Sequence, residues 1–194
     1  MSAFSELDMA FKFLRGHACD VSVLQCTSSY PTNLIDANLR VLDSYKELVP
    51  EWEVGFSDHT KSIISGAVAV ARGASILEKH ITLDNGFEGP DHHASLDIPN
   101  FIKYVKNVRE TEELLGDQRK QLLGSELEAF KAAAKVPVAS VKIAIGEQFT
   151  EENIMFMRVN DRDSLPHKLP FILGKRSTKN YEAGELVEDC QSTS

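Results

Sequence analysis

Two short segments of this chain end in a histidine: Gly55-Phe56-Ser57-Asp58-His59-Thr60 and, twenty-one residues on, Ile76-Leu77-Glu78-Lys79-His80-Ile81-Thr82. If both are neighbouring parallel strands joined by a helix, both imidazoles emerge at one carboxyl edge of the sheet, where α/β enzymes place their chemistry. His59 and His80 are therefore the candidate ligands of a divalent metal. Neutral imidazoles bind such an ion while leaving positions for water and substrate oxygens. Spacing alone keeps a second reading open, in which both histidines are hydrogen-bonded groups at strand ends. Asp58 and Glu78 flank the pair and either orient the rings or point outward. A polar loop, Glu88-Gly89-Pro90-Asp91-His92-His93, follows the second run and can fold over the same edge. Asp91 there is a turn former or a site acid, while His92 and His93 read as loop surface.

The elements that must position these groups follow from periodicity. Leu7, Phe11 and Leu14 recur at helical spacing in residues 4–15, and Gly16 closes that helix. Val21 to Cys26 is short, rich in β-branched residues and ended by Thr27-Ser28-Ser29-Tyr30-Pro31, which makes it a strand with Cys26 in the core. Residues 34–48 read as helix, 53–56 as strand, 62–72 as helix and 74–80 as strand. Pro99 opens a further helix with a stripe of Phe101, Tyr104, Val105, Val108 and Leu115, stopped by Gly116. Strands alternating with helices predict a parallel sheet. Residues 117–135 are charged and read as a linker with some helix. From Val136 onward short runs alternate with turns, predicting a small, mostly β domain of about 60 residues, a size at which independent folding is marginal.

Composition excludes several classes of partner. The 194 residues carry a formal net charge of -8, which argues against nucleic acid and against an anionic membrane surface, since both need a basic face. No apolar run reaches the roughly 18 residues of a membrane span, and the first residues lack the order of a signal peptide, so the expected location is cytoplasmic. Three cysteines without C-x-x-C spacing predict reduced thiols rather than a disulfide framework or zinc cluster.

Four motifs, in order and spacing, resemble the sialic acid synthase family, whose members make N-acetylneuraminate, legionaminate or pseudaminate. They are Leu24-Gln25-Cys26-Thr27-Ser28-Ser29-Tyr30-Pro31, the two histidine runs extended to Asp84, and Glu88-Gly89-Pro90-Asp91-His92 with Ala94-Ser95-Leu96. Ile145-Gly146-Glu147-Gln148-Phe149-Thr150-Glu151-Glu152-Asn153-Ile154 and Leu173-Gly174-Lys175 are similar to the antifreeze-like (SAF) domain that follows the barrel in that family.

The resemblance implies an α/β fold: the last three βα units of a TIM barrel over residues 1–116, a linker over 117–135, and a SAF domain over 136–194. The first five barrel strands, with the family's phosphate-binding lysines, have no counterpart here, so the 194-residue chain alone is expected to be inactive. The implied reaction condenses phosphoenolpyruvate with an N-acetylmannosamine-type sugar (an N-acyl hexosamine), releasing phosphate and giving a nonulosonic acid. It implies Mn²⁺ or Mg²⁺ on His59 and His80, with Asp91 and Ser57 as catalytic residues, Ser57 lying near the phosphate. Ser28 and Tyr30 match substrate contacts. Arg158 matches an arginine that reaches from the SAF domain to the sugar's N-acetyl group in the partner subunit of a homodimer, with Arg162 as a substitute because the turn after Arg158 departs from the family pattern. The rival expectation is a non-catalytic remnant whose SAF domain serves as a sugar-binding or dimerisation module.

Overall fold

The computed structural model describes residues 1–158, 172–187 and 190–191, and the chain divides into two compact units, Met1–Gln118 and Arg119–Ser194. The first unit begins with helix α1 (Phe4–Arg15). Strand β1 (Ser22–Cys26), helix α2 (Val41–Leu48), strand β2 (Glu53–Asp58), helix α3 (Ser65–Ala71) and strand β3 (Ile76–Lys79) then alternate. The three strands form one parallel sheet in the order β1-β2-β3, with Cys26 opposite Ser57 and Asp58 opposite Lys79. Strand β4 (Ile81–Thr82) pairs in parallel with β5 (Leu96–Asp97), and helix α4 (Ile98–Leu115) follows directly.

Alternation along the strands sorts the side chains onto two faces. Val23 and Val54 pack with Phe11, Tyr45 and Val49 from α1 and α2. Phe56 packs with Leu42, Ala69 and Ala74, and Leu77 with Leu96, Tyr104 and Val108. The helices thus cover one face only. Cys26, Ser57, His59, Glu78 and His80 belong to the other, and Cys26 is exposed there, not in the core as its apolar run suggested. Cys26 ends the edge strand β1, and that place leaves it exposed, whereas Ser57 opposite it on the central strand is buried.

Several boundaries differ from the sequence pattern for local reasons. The expected helix over 34–48 is a 3₁₀ turn (Leu34–Ala37) followed by α2, because Asn38 takes a left-handed φ of 45° that breaks the helix. Helix α3 starts at Ser65 rather than 62, since Ser62 Oγ accepts from the N–H of Ile64 and holds a turn there. In α4 Tyr104 and Val108 are buried with Phe101 partly buried against them, whereas Val105 and Leu115 are exposed. Asp97 caps that helix by accepting from Asn100 N–H at 2.9 Å.

The second unit starts with a 3₁₀ turn (Gly124–Glu126) and helix α5 (Leu127–Ala133) within the stretch expected to link two domains. Strand β6 (Val136–Ala139) pairs antiparallel with β7 (Ile154–Met157), and β8 (Arg176–Ser177) with β9 (Cys190–Gln191). Single bridges join Val138 to Leu186, Ile143 to Tyr181 and Gln148 to Arg176. One apolar cluster, including Ile143, Phe149, Ile172 and Tyr181, lies at the centre of this unit.

Candidate functional site

His59 leaves β2 one residue past its end, and His80 stands between β3 and β4. Because β2 and β3 are adjacent and in register at Asp58 and Lys79, the two imidazoles emerge side by side, with ring centroids 5.1 Å apart. Tyr30, from the loop after β1, lies over both: its ring centroid is 4.1 Å from His59 and 5.6 Å from His80. Asp91 joins from the loop between β4 and β5, its carboxylate 3.9 Å from His80 Nδ1.

The orientation of His59 is fixed by backbone. Its Nδ1 lies 2.8 Å from the Thr27 carbonyl; a carbonyl only accepts, so Nδ1 carries the proton and Nε2 the lone pair. The lock is reciprocal, because Thr32 N–H donates to the His59 carbonyl at 2.9 Å. His80 is pinned through its own carbonyl, which accepts from Leu96 N–H at 3.1 Å.

Asp91 also shapes its loop, since its carbonyl accepts from Ala94 N–H, Ser95 N–H and Ser95 Oγ. His92 turns away from the pair to Thr82. The Thr82 hydroxyl donates to Asp84, leaving its oxygen to accept from His92 Nδ1 at 2.8 Å. His93 is exposed, yet its Nε2 donates to the Tyr30 carbonyl at 3.2 Å and ties the two loops together. Nothing in its spacing announces that role.

Ser57, buried one step before the histidine edge, donates to Glu78 Oε1 at 2.5 Å across the strands. Its hydroxyl proton is therefore committed to a carboxylate. Ser28 is exposed at the start of the first loop. Arg158 is exposed immediately after β7, in the second unit, and Arg162 lies outside the described residues.

Electrostatics mark the same spot. Desolvation first, then the negative potentials of Cys26, Asp91 and Glu78, push the Tyr30 phenol above its ordinary value. The phenol thus stays a protonated donor at neutral pH.

On the opposite face of the same strand ends sits a buried charge pair of Asp58, for which the sequence left ring orientation or an outward place open, and Lys79, which it did not single out. Asp58 is fully buried and Lys79 nearly so, with Nζ 3.1 Å from Asp58 Oδ2. Asp58 also accepts from Thr60 N–H at 2.8 Å and from Ser65 Oγ, and Lys79 donates to the Thr60 carbonyl. Burial lowers the Lys79 pKa against the opposing pull of Asp58. The Tyr104 hydroxyl, beside this pair and without a hydrogen bond of good geometry among the described residues, is pushed up, chiefly by burial and then by Asp58. Gly66 admits Tyr104 to this place, since a Cβ there would collide with the phenol. Leaving either charge of such a pair alone costs about 3–5 kcal/mol.

Among the described residues no group of three or more His, Cys, Asp or Glu side chains is placed to share a metal ion. The nitrogen donors brought side by side at this edge are the imidazoles of His59 and His80. His59 fits a ligand role in that its Nδ1 is engaged by the Thr27 carbonyl while Nε2 is left out of that bond.

A parallel α/β sheet with paired imidazoles, a phenol and a carboxylate at its carboxyl edge has the layout of an α/β enzyme site. Residues 1–120 match the model of the NeuB family, and the chain belongs to that family. It is 35% identical over 188 residues to the N-acetylneuraminate-9-phosphate synthase of Mus musculus, covering 96% of this chain and 52% of that one. To the N,N'-diacetyllegionaminic acid synthase of Campylobacter jejuni it is 36% identical, over 88% of this chain and 50% of the relative. The crystal structure of an N-acetylneuraminic acid (sialic acid) synthetase from Leptospira borgpetersenii, in complex with citrate, matches with TM-score 0.61 and 33% identity over 68% of this chain and 46% of its own. The chain thus spans about half the length of the curated relatives it matches. No helix among the described residues is long and apolar enough to cross a membrane.

Proposed function

We propose that this chain carries part of the active site of a nonulosonic acid synthase, which joins carbon 3 of phosphoenolpyruvate to the aldehyde carbon of an N-acyl hexosamine. Water adds at carbon 2 of phosphoenolpyruvate and phosphate leaves, so the products balance as one nonulosonic acid and one phosphate. The observation that carries this reading is the convergence of His59, His80, Tyr30 and Asp91 from four separate segments of the chain, whose relatives include proteins named as such synthases.

His59 and His80 hold a divalent cation, Mn²⁺ or Mg²⁺, through neutral nitrogens. Bound there, the ion supplies Lewis-acid polarisation of the sugar aldehyde. Asp91, beside His80, accepts a hydrogen bond from a sugar hydroxyl and takes or returns its proton. Tyr30 stays protonated and donates to an anionic oxygen of phosphoenolpyruvate or sugar. Ser57 reaches a phosphate only by turning its hydroxyl from Glu78, so Glu78 governs its availability; Ser28 contacts substrate from the mouth of the first loop. In this reading residues 1–116 are the last βα units of a TIM barrel and residues 136–194 a SAF domain. Arg158 then acts in the barrel of a partner subunit of a cytoplasmic homodimer.

The test is phosphate release from phosphoenolpyruvate with a panel of N-acyl hexosamines, with and without Mn²⁺, in a form carrying a complete barrel. Sugar-dependent release that disappears in His80→Ala is expected. Sugar-dependent release that does not need a divalent metal overturns the metal assignment, and no release with any sugar while the protein binds sugar replaces this reading with the non-catalytic module.

A further inference from the structure

We propose that the buried Asp58–Lys79 pair is a positioning device that sets the distance between His59 and His80; its bearing on metal affinity rests on the metal reading above. The two charged residues are register partners on β2 and β3, and each is the residue immediately before one of the histidines. Their side chains meet on the helix-covered face, the imidazoles on the other, as alternation along a strand requires. Lys79 Nζ also donates to the carbonyl of Thr60, the residue just beyond His59, while Asp58 holds the Thr60 N–H and the Ser65 hydroxyl.

The backbone on both sides of His59 is thereby tied to the residue before His80. Neither β2 nor β3 can slide or splay at its carboxyl end without breaking a charge pair from which water is excluded. A well-packed apolar pair would serve stability as well or better. Two buried charges instead impose one geometry, because each must keep its partner and its hydrogen bonds together.

The experiment compares the 194-residue chain with two double variants that leave no unpaired buried charge. Asp58→Ala/Lys79→Met removes the strap; Asp58→Asn/Lys79→Gln keeps its hydrogen bonds without charge. Two readouts are taken on protein shown folded by near-UV circular dichroism. One is NMR of the histidine rings without metal, through ring-to-ring proton contacts and the Nδ1–H signal of His59. The other is Mn²⁺ affinity from titration. The Ala/Met pair is expected to lose the His59–His80 ring contact and about tenfold or more in Mn²⁺ affinity, and the Asn/Gln pair to retain most of both. If the Ala/Met protein does not fold, Ser65→Ala, which takes one hydrogen bond from Asp58, carries the test with a smaller loss in the same direction. Folded Ala/Met protein, or Ser65→Ala in its place, with unchanged ring contacts overturns the proposal, whatever Mn²⁺ does. Wild-type protein whose rings are in contact but ignore Mn²⁺ overturns the metal reading instead, and the ring contacts alone then decide the role of the strap.

Discussion

The two units bury different things. In the first, three apolar clusters pack between sheet and helices, and the strand ends among them bury Gln25, Ser57, Asp58, His59, Thr60 and Ser65. In the second, a larger apolar cluster and a smaller one around Val136 and Val138 hold the unit together, and its buried polar residues are Asn153 and Ser177 among those described. Asn153 is satisfied within its own turn: Oδ1 accepts from Thr150 N–H at 2.8 Å and Nδ2 donates to the Gln148 carbonyl at 3.0 Å. Buried polarity in the second unit thus closes a turn. In the first it crosses between strands and loops and aims side chains at one edge, an expense in stability that makes sense where geometry matters more than cohesion.

The sharpest way to break this contrast is at the histidines. His80→Ala, at a partly exposed position, is expected to weaken Mn²⁺ binding by more than about 100-fold, beyond the usual 10–100-fold for residues that merely orient ligands, while the urea midpoint hardly moves. His92→Ala, which loses the bond to Thr82 and the edge contact with Phe87, should leave Mn²⁺ affinity near wild type. A reversed outcome would move the site to the loop.

Next in size is the core of the second unit. Phe149 is 1% exposed and packs against Tyr181, so Phe149→Ala should cost about 3–5 kcal/mol of that unit's stability, read by urea unfolding. A cost under about 1 kcal/mol would mean that the cluster collapses around the gap and is not the cohesive centre. Smaller still, Asn153→Ala leaves the Thr150 N–H and the Gln148 carbonyl without partners and should cost about 1–3 kcal/mol, in the same measurement. An effect within a few tenths of a kcal/mol would remove the distinction drawn between turn-closing and site-building polarity.

The smallest effect concerns exposed carboxylates, one in each unit. The Arg15 hydrogen bond holds Glu51 below its ordinary value; the Glu182 N–H, then Lys179, do the same for Glu185. Between the lowered folded value and the unfolded value of about 4.3 the unfolded chain binds more protons, so stability rises with pH there. Each contribution is complete above the unfolded value and is lost as pH falls through the folded one. Glu51→Gln and Glu185→Gln should each slightly flatten the acid limb of stability against pH, followed by urea unfolding from about pH 5 to about pH 3. A steeper acid limb in either variant would contradict these directions.

Much of the first unit is legible in its residues. Leu7, Phe11 and Leu14 mark α1, the apolar runs before His59 and His80 mark β2 and β3, and their separation by a helix predicts the parallel pairing that sets the imidazoles together. Short elements are less so: β4 and β5 are two residues each, too brief for any period to show, and they pair because Leu96 meets the His80 backbone. Asn38 gave no warning either, since its left-handed turn is one of several conformations an asparagine accepts.

What the sequence by itself determined is the alternation of strands and helices, the edge from which His59 and His80 emerge, and the motifs shared with a synthase family. These are local patterns or strings, and local chemistry writes them. Only the tertiary structure decided that Thr27 supplies the carbonyl fixing the His59 tautomer, that Tyr30 lies over both rings, that Ser57 is held by Glu78, and that Asp58 and Lys79 meet behind the site. Each of those contacts joins separate strands or loops, and a partner across a sheet is chosen by register and packing, which no single stretch of residues contains.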